Sequence, residues 1–206
     1  MRLFAALWPP PEVLDHLNGA LAAVLEPSPS GGPPTLRRTP QENLHVTVAF
    51  YGTVPDGAAS DVRASLAEEA AGAAPVYLHL AGSGSFGDRS LWVGVGGEVA
   101  ALTDLMQACA RAPYVAAEDG PPARSPRPHL TVARASRRGT PERRGRRRRE
   151  HAAEEPSAVR VAARALAVYR GPDWMAEEIT LVASHLGEGA GGAPRYEVID
   201  TLELGH

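Results

Sequence analysis

Two short stretches of this chain are nearly the same strand, and they constrain its fold more than any other feature. Leu44-His45-Val46-Thr47-Val48-Ala49 and His129-Leu130-Thr131-Val132-Ala133 share the order His-aliphatic-Thr-Val-Ala. Residues two apart in a strand face the same side. Each copy therefore shows its His and Thr on one face and its aliphatic residues on the other. Two such strands related by an approximate twofold would aim two imidazoles and two hydroxyls into one groove, with the aliphatic residues packed behind them. One His-x-Thr strand is common and usually carries an ordinary half-buried histidine. The second copy, in the same context, is what gives the pattern chemical meaning.

The remaining segments say what surrounds these strands. Residues 2–8 form an apolar strand, and Pro10 and Pro11 suit the first turn of a helix. Leu14, Leu17, Leu21 and Leu25 follow at helical spacing. A second helix is expected over 57–71, with Val62, Leu66 and Ala70 on its inner face. Val76 to Leu80 reads as a short strand, Gly82 to Gly87 as a loop, and Leu91 to Val95 as another strand. Gly97 leads into a third helix carrying Val99, Leu102, Leu105, Met106 and Cys109. The Pro-rich stretch Glu118 to Pro128 is expected to be a loop. Val159 to Tyr169, Ile179 to Ser184 and Tyr196 to Leu204 are further strand candidates. Strands alternating with helices, then a run of late strands, favour an α+β fold over a doubly wound parallel sheet.

Composition excludes several classes. The 206 residues suffice for one domain, and the apolar runs are too short for a membrane span. Pro9-Pro10-Pro11 follows the first apolar stretch at once, which suits a strand and not a signal peptide. A single cysteine, Cys109, rules out an internal disulfide or a cysteine metal cluster, and makes the cytoplasm the default compartment. All 21 basic residues are arginine, and nine of them lie between Arg134 and Arg149. That run, about residues 135–156, reads as a solvated loop. Holding an RNA backbone is its alternative use.

The four repeated side chains suit an in-line displacement at a cyclic phosphodiester. Imidazole titrates near neutral pH, so one histidine can take a proton from water while the other gives one to the departing sugar oxygen. The working assignment makes His45 the acid and His129 the base. Thr47 and Thr131 can donate hydrogen bonds to the non-bridging oxygens. No metal or cofactor is required. Zinc is the weaker reading, because neither His45 nor His129 has a further ligand at suitable spacing. Gly82-Ser83-Gly84-Ser85 lacks the closing glycine of a nucleophile elbow. Arg127, two positions before His129, is a candidate phosphate contact. Arg134 has the opposite parity and reads as a rim or structural residue. Phe50, Phe86 and Tyr196 are candidates for stacking on a base or ribose.

The sequence resembles the two-histidine phosphoesterases, and among them the LigT-like RNA 2′,3′-cyclic phosphodiesterases, once called 2′-5′ RNA ligases. The resemblance runs through almost the whole chain. It is carried by Met1–Ala6, Glu42–Gly52, Gly84-Ser85-Phe86 with Leu91–Val95, Arg127–Arg134, Ser184-His185-Leu186 and Arg195–Val198. It implies one bilobal α+β domain over 1–206, with two pseudo-symmetric antiparallel sheets, helices outside and a central groove. It also implies hydrolysis of 2′,3′-cyclic RNA ends to 2′-phosphomonoesters, with weak reverse 2′-5′ ligation. The implied partner is RNA with a cyclic end, such as a tRNA fragment or an oligonucleotide, bound by a monomer that does not engage membranes. The alternatives are a silent RNA-end binding module, or the same hydrolysis on a small cyclic nucleotide. Arg37-Arg38-Thr39 departs from the resemblance, because an aromatic residue often stands there.

Overall fold

Both histidine motifs lie at the middle of one antiparallel sheet. A computed structural model describes residues 1–25, 36–55, 57–111, 127–136 and 157–205. Along the chain these form β1 (Arg2–Leu7), α1 (Pro11–Leu25), β2 (Leu36–Arg38), β3 (Val46–Thr53), α2 (Ala59–Ala71), β4 (Val76–Phe86) and β5 (Ser90–Gly97). They continue with α3 (Val99–Cys109), β6 (His129–Ala135), α4 (Ala158–Ala165), β7 (Arg170–Ala176), β8 (Glu178–His185) and β9 (Arg195–Glu203). The strand order is β7-β4-β5-β6-β3-β1-β8-β9, with β2 also paired to β6. Between β6 and β3 the pairing is one residue deep, Val46 opposite Leu130. The sheet is therefore two four-stranded halves joined at the two repeats, each half carrying one His-Thr pair at its inner edge. Past that joint the halves diverge, and β2 lies along β6 in the gap.

The helices cover the sheet face that carries the aliphatic residues of the repeats. Val13, Leu14, Leu17 and Leu21 of α1 are buried, as are Val62, Leu66 and Ala70 of α2 and Leu102, Leu105, Met106 and Cys109 of α3. They close on a core that includes Val46, Val48, Leu130 and Val132. A leucine fully buried there, such as Leu130, contributes about 1.5–3 kcal/mol. Burial pushes the Cys109 thiol up to about 12, so this cysteine is a packing residue with little thiolate.

Each repeat ends in the same irregularity. In the β1–β3 ladder the register passes from Ala6 opposite Thr47 to Ala5 opposite Ala49, skipping Val48. In the β5–β6 ladder it passes from Trp92 opposite Thr131 to Leu91 opposite Ala133, skipping Val132. These bulges let two consecutive residues, Val-Ala, point into the core in both copies. They also reverse the parity of the residues beyond them. Phe50 and Arg134 consequently arrive on the face that carries His and Thr.

The architecture is the expected α+β one, but two local expectations fail and one strand, β7, was not expected. Gly82 to Gly87 is mostly strand, because β4 continues to Phe86. Gly82 takes a φ of 62° at a bulge, and the ladder resumes beyond it with Gly84 opposite Trp92. The Trp92 ring lies across Gly84 so closely that a Cβ there would fall 2.2 Å from Cζ2. The covering indole replaces the missing side chain. Residues 159–169 do not form a strand: their first part belongs to α4. The alternation Val159-x-Val161 resembles a strand, but Val159 and Ala162 are buried together at helical spacing, with Leu166 beyond them. Alanine favours the helix, and Ser157 caps it by accepting a hydrogen bond from the Arg160 N–H at 3.4 Å. Strand β7 was hidden by Gly171-Pro172, which an edge strand tolerates. The proline-rich stretches 28–34 and 118–126 and the arginine run beyond Ser136 lie outside the described residues.

The cap gives a stability test. Ser157 Oγ also donates to Asp88 Oδ1 at 2.7 Å, so Ser157→Ala removes two bonds at once. Urea unfolding is expected to show a loss of about 1 kcal/mol, partly recovered in Ser157→Thr. Unchanged stability in Ser157→Ala would count against the capped helix.

Candidate active site

The uncovered sheet face floors a groove of about 560 Å³ at the joint between the halves. His45, Thr47, His129 and Thr131 all line it. A one-turn 3₁₀ helix, Gln41–Asn43, delivers the chain to His45, and buried Asn43 pins this turn by donating from Nδ2 to the Pro194 carbonyl at 2.9 Å.

The two imidazoles are held in the same way. His45 Nδ1 lies 2.9 Å from the Asn43 carbonyl oxygen, and His129 Nδ1 lies 2.8 Å from that of Arg127. A carbonyl can only accept, so each Nδ1 carries the hydrogen. In the neutral ring Nε2 is then the basic nitrogen, and in the cation it carries the transferable proton. One backbone device thus fixes two tautomers.

Their surroundings differ. His45 sits among Phe4, Trp8 and Tyr196, with ring centroids 4.9, 5.2 and 5.4 Å away. His129 meets Phe86 edge-on at 4.9 Å and Trp92 at 6.0 Å, and Phe86 is itself half exposed. Desolvation in the aromatic enclosure lowers the pKa of His45 to about 4; the hydrogen bond to Asn43 opposes the shift, and charge on His129 adds to it. The His45 ring is therefore neutral at neutral pH in the free protein.

The groove is cationic. Arg2, Arg37, Arg38 and Arg134 line it, and among the described residues no Asp or Glu does. Arg2 lies over the Phe50 ring at 4.6 Å. Two locked imidazoles, two hydroxyls and four guanidiniums thus surround one concavity, a set of groups able to donate hydrogen bonds and positive charge to an anion.

A sequence model of the 2′-5′ RNA ligase superfamily matches residues 9–173. The chain belongs to that superfamily. Among its relatives, an RNA 2′,3′-cyclic phosphodiesterase of Geobacillus stearothermophilus is 30% identical over 179 residues, covering 80% of this chain. The chain spans 46% of that relative's length. In fold it is similar to TT0787 of Thermus thermophilus, with a TM-score of 0.67 and 24% identity over 100% of this chain and 98% of that one. It is also similar to E. coli LigT, crystallised with NADP+, with a TM-score of 0.64 and 22% identity over 100% and 98% of the two chains. These solved structures bear out the LigT-like α+β architecture of a superfamily member.

Within this superfamily fold, the structure gathers most of the residues singled out from sequence. Phe50 and Tyr196 line the groove with the His-Thr quartet. Arg127 serves through its carbonyl, and its exposed side chain is not among the groove-lining residues. Phe86 stands against His129 outside that lining. Sequence reasoning missed Phe4, Trp8, Asn43, Arg2 and Arg37, and gave Arg134 to the rim. Phe4 and Trp8 share parity with Ala6 on β1, a legible signal once the face of β1 is known. Arg134 was hidden because a bulge reverses parity. The other described histidines are engaged elsewhere: His16 with Tyr169, His79 with Asp173 and His185 with Glu197. His151 and His206 lie outside the described residues.

Proposed function

We propose that this chain hydrolyses the 2′,3′-cyclic phosphate end of RNA to a 2′-phosphomonoester, without a metal ion. The observation that carries the reading is the pair of imidazoles with Nδ1 bonded to backbone and Nε2 available, flanked by two threonines in an arginine-lined groove. Neutral His45 takes a proton from water through Nε2 as the water oxygen bonds to phosphorus. The bond from phosphorus to the 3′ oxygen breaks, and His129, as imidazolium, gives its Nε2 proton to that oxygen. Thr47 and Thr131 donate to the non-bridging oxygens as charge builds on them, and the arginines offset the phosphate's charge.

The enclosure of His45 favours this direction over the reverse assignment suggested by sequence. A ring kept neutral by desolvation is prepared to accept a proton. The same site admits ligation by the same displacement, in which a 5′ hydroxyl replaces water, the bond from phosphorus to the 3′ oxygen breaks and a 2′-5′ linkage forms.

The test is turnover of an oligoribonucleotide with a 2′,3′-cyclic end in the presence of EDTA, followed by phosphorus NMR. Conversion to the 2′-phosphate is expected. Binding without conversion would make the chain a silent end-binding module, and a 3′-phosphate product would refute the bond assignment.

A further inference from the structure

Each imidazole is held by the carbonyl of the residue two positions before it, but the two carbonyls are supported differently. Arg127, which carries the one facing His129, has an exposed side chain. Asn43, which carries the one facing His45, is buried at 7% exposure. A polar group buried in this way costs about 1–3 kcal/mol when it is left without a partner. Asn43 has partners on both sides. Its backbone N–H donates to the Pro40 carbonyl at 2.9 Å, which closes the turn before His45. Its Nδ2 donates to the Pro194 carbonyl at 2.9 Å, and because a carbonyl only accepts, that bond also fixes which way the amide faces.

Pro194 is a consequential place to be tied. It immediately precedes β9, and Tyr196, two residues on, forms one wall around the His45 ring with centroids 5.4 Å apart. The segment that leads up to it is thinly packed: a Cβ on Gly187, Gly191 or Gly192 would meet nothing within 4 Å. Ala190, Ala193 and Pro194 of this segment line the groove. The bond from Asn43 therefore joins the end of that segment to the turn whose carbonyl holds Nδ1.

We infer that Asn43 is a positioning residue, whose side chain holds its own carbonyl against His45 Nδ1 and the start of β9 against the His45 ring. The inference rests on the function proposed above. As Nε2 takes a proton from water the ring becomes a cation, and its Nδ1–H bond to the Asn43 carbonyl strengthens. An acceptor already fixed at 2.9 Å gives that gain without moving. His129 runs the other way. It begins as the cation, so a rigid acceptor at its Nδ1 would hold back the proton that it must give. A buried anchor behind one carbonyl and none behind the other matches this division of roles.

Two variants test the inference. Asn43→Leu keeps the shape of the amide without its donor, and Asn43→Ala removes the donor with less bulk should the first fail to fold. Nitrogen-15 NMR of the free protein at pH 7 reads the ring tautomers and needs no turnover. In the wild type both rings should carry the hydrogen on Nδ1. In either variant His45 should become a mixture of tautomers while His129 keeps the Nδ1–H form. On a cyclic-ended oligoribonucleotide kcat should fall by about tenfold, the scale of one hydrogen bond to a charged group, with KM within about threefold. A folded variant whose His45 stays wholly in the Nδ1–H form would overturn the inference, as would a loss carried by KM alone. A wild-type His45 in the Nε2–H form would overturn it without any variant. If His45 responds as expected and the wild type turns over no cyclic-ended RNA, the proposed function fails and the support of the ring stands.

Discussion

Replacing His45 or His129 with glutamine should lower kcat on a cyclic-ended oligoribonucleotide by about 10²–10⁴-fold, the usual contribution of one positioned proton-transfer group. Glutamine keeps a side-chain donor for the i−2 carbonyl that each Nδ1 now bonds, so the chain path should survive. The pH profile separates the two roles. For kcat/KM, which reports the free enzyme, the rising limb belongs to the base losing its proton and the falling limb to the acid losing its own. With His45 as base, the rising limb should fall near pH 4, well below the ordinary histidine value of 6.5. In kcat the same limb should move upward, because a bound phosphate anion favours the imidazolium. His45→Gln should lose the rising limb and His129→Gln the falling one. A His45→Gln enzyme within tenfold of the wild type would sink the acid–base pair. A wild-type kcat/KM limb at 6.5 or above would return the base role to His129.

How far this site was legible beforehand depends on which physical rule placed each residue. His45, Thr47, His129 and Thr131 obey strict alternation, so two-residue parity was enough. Phe50 and Arg134 follow a bulge, and counting by twos then fails by one. Yet the repeat carried the hint, since both copies continue Val-Ala and a strict pleat would have turned one of those two apolar residues outward. Helix α4 was misread because Val159-x-Val161 alternates like a strand, whereas the buried pair is Val159 and Ala162 at helical spacing, and alanine content and a serine cap favour the helix. The enclosure of His45 was beyond reach of any local pattern. Phe4 and Trp8 come from β1 and its end and Tyr196 from β9, the first and last strands, and only the sheet order brings them together. The difference in surroundings between two nearly identical motifs is thus a tertiary property.

That asymmetry should also be visible in stability. His45 titrates near 4 in the folded chain and near 6.5 when unfolded, so between those values the unfolded chain binds the extra proton. Above about pH 6.5 both forms are neutral and the histidine costs nothing. As pH falls from 6.5 towards 4, stability should drop by up to about 3 kcal/mol, and below 4 the contribution levels off. Urea unfolding of the wild type at pH 7 and pH 4.5, set against His45→Gln, isolates this term because the other titrating groups are common to both proteins. The variant should lose about 2–3 kcal/mol less over that interval. Salt should recover little of the difference, since desolvation by Phe4, Trp8 and Tyr196 outweighs repulsion from His129, and only the repulsion is screened. Identical pH dependence in the two proteins would mean that the aromatic enclosure does not hold the ring neutral. The base assignment would then lose its physical ground, because the same desolvation that weakens the fold in acid is what keeps Nε2 ready to take a proton from water.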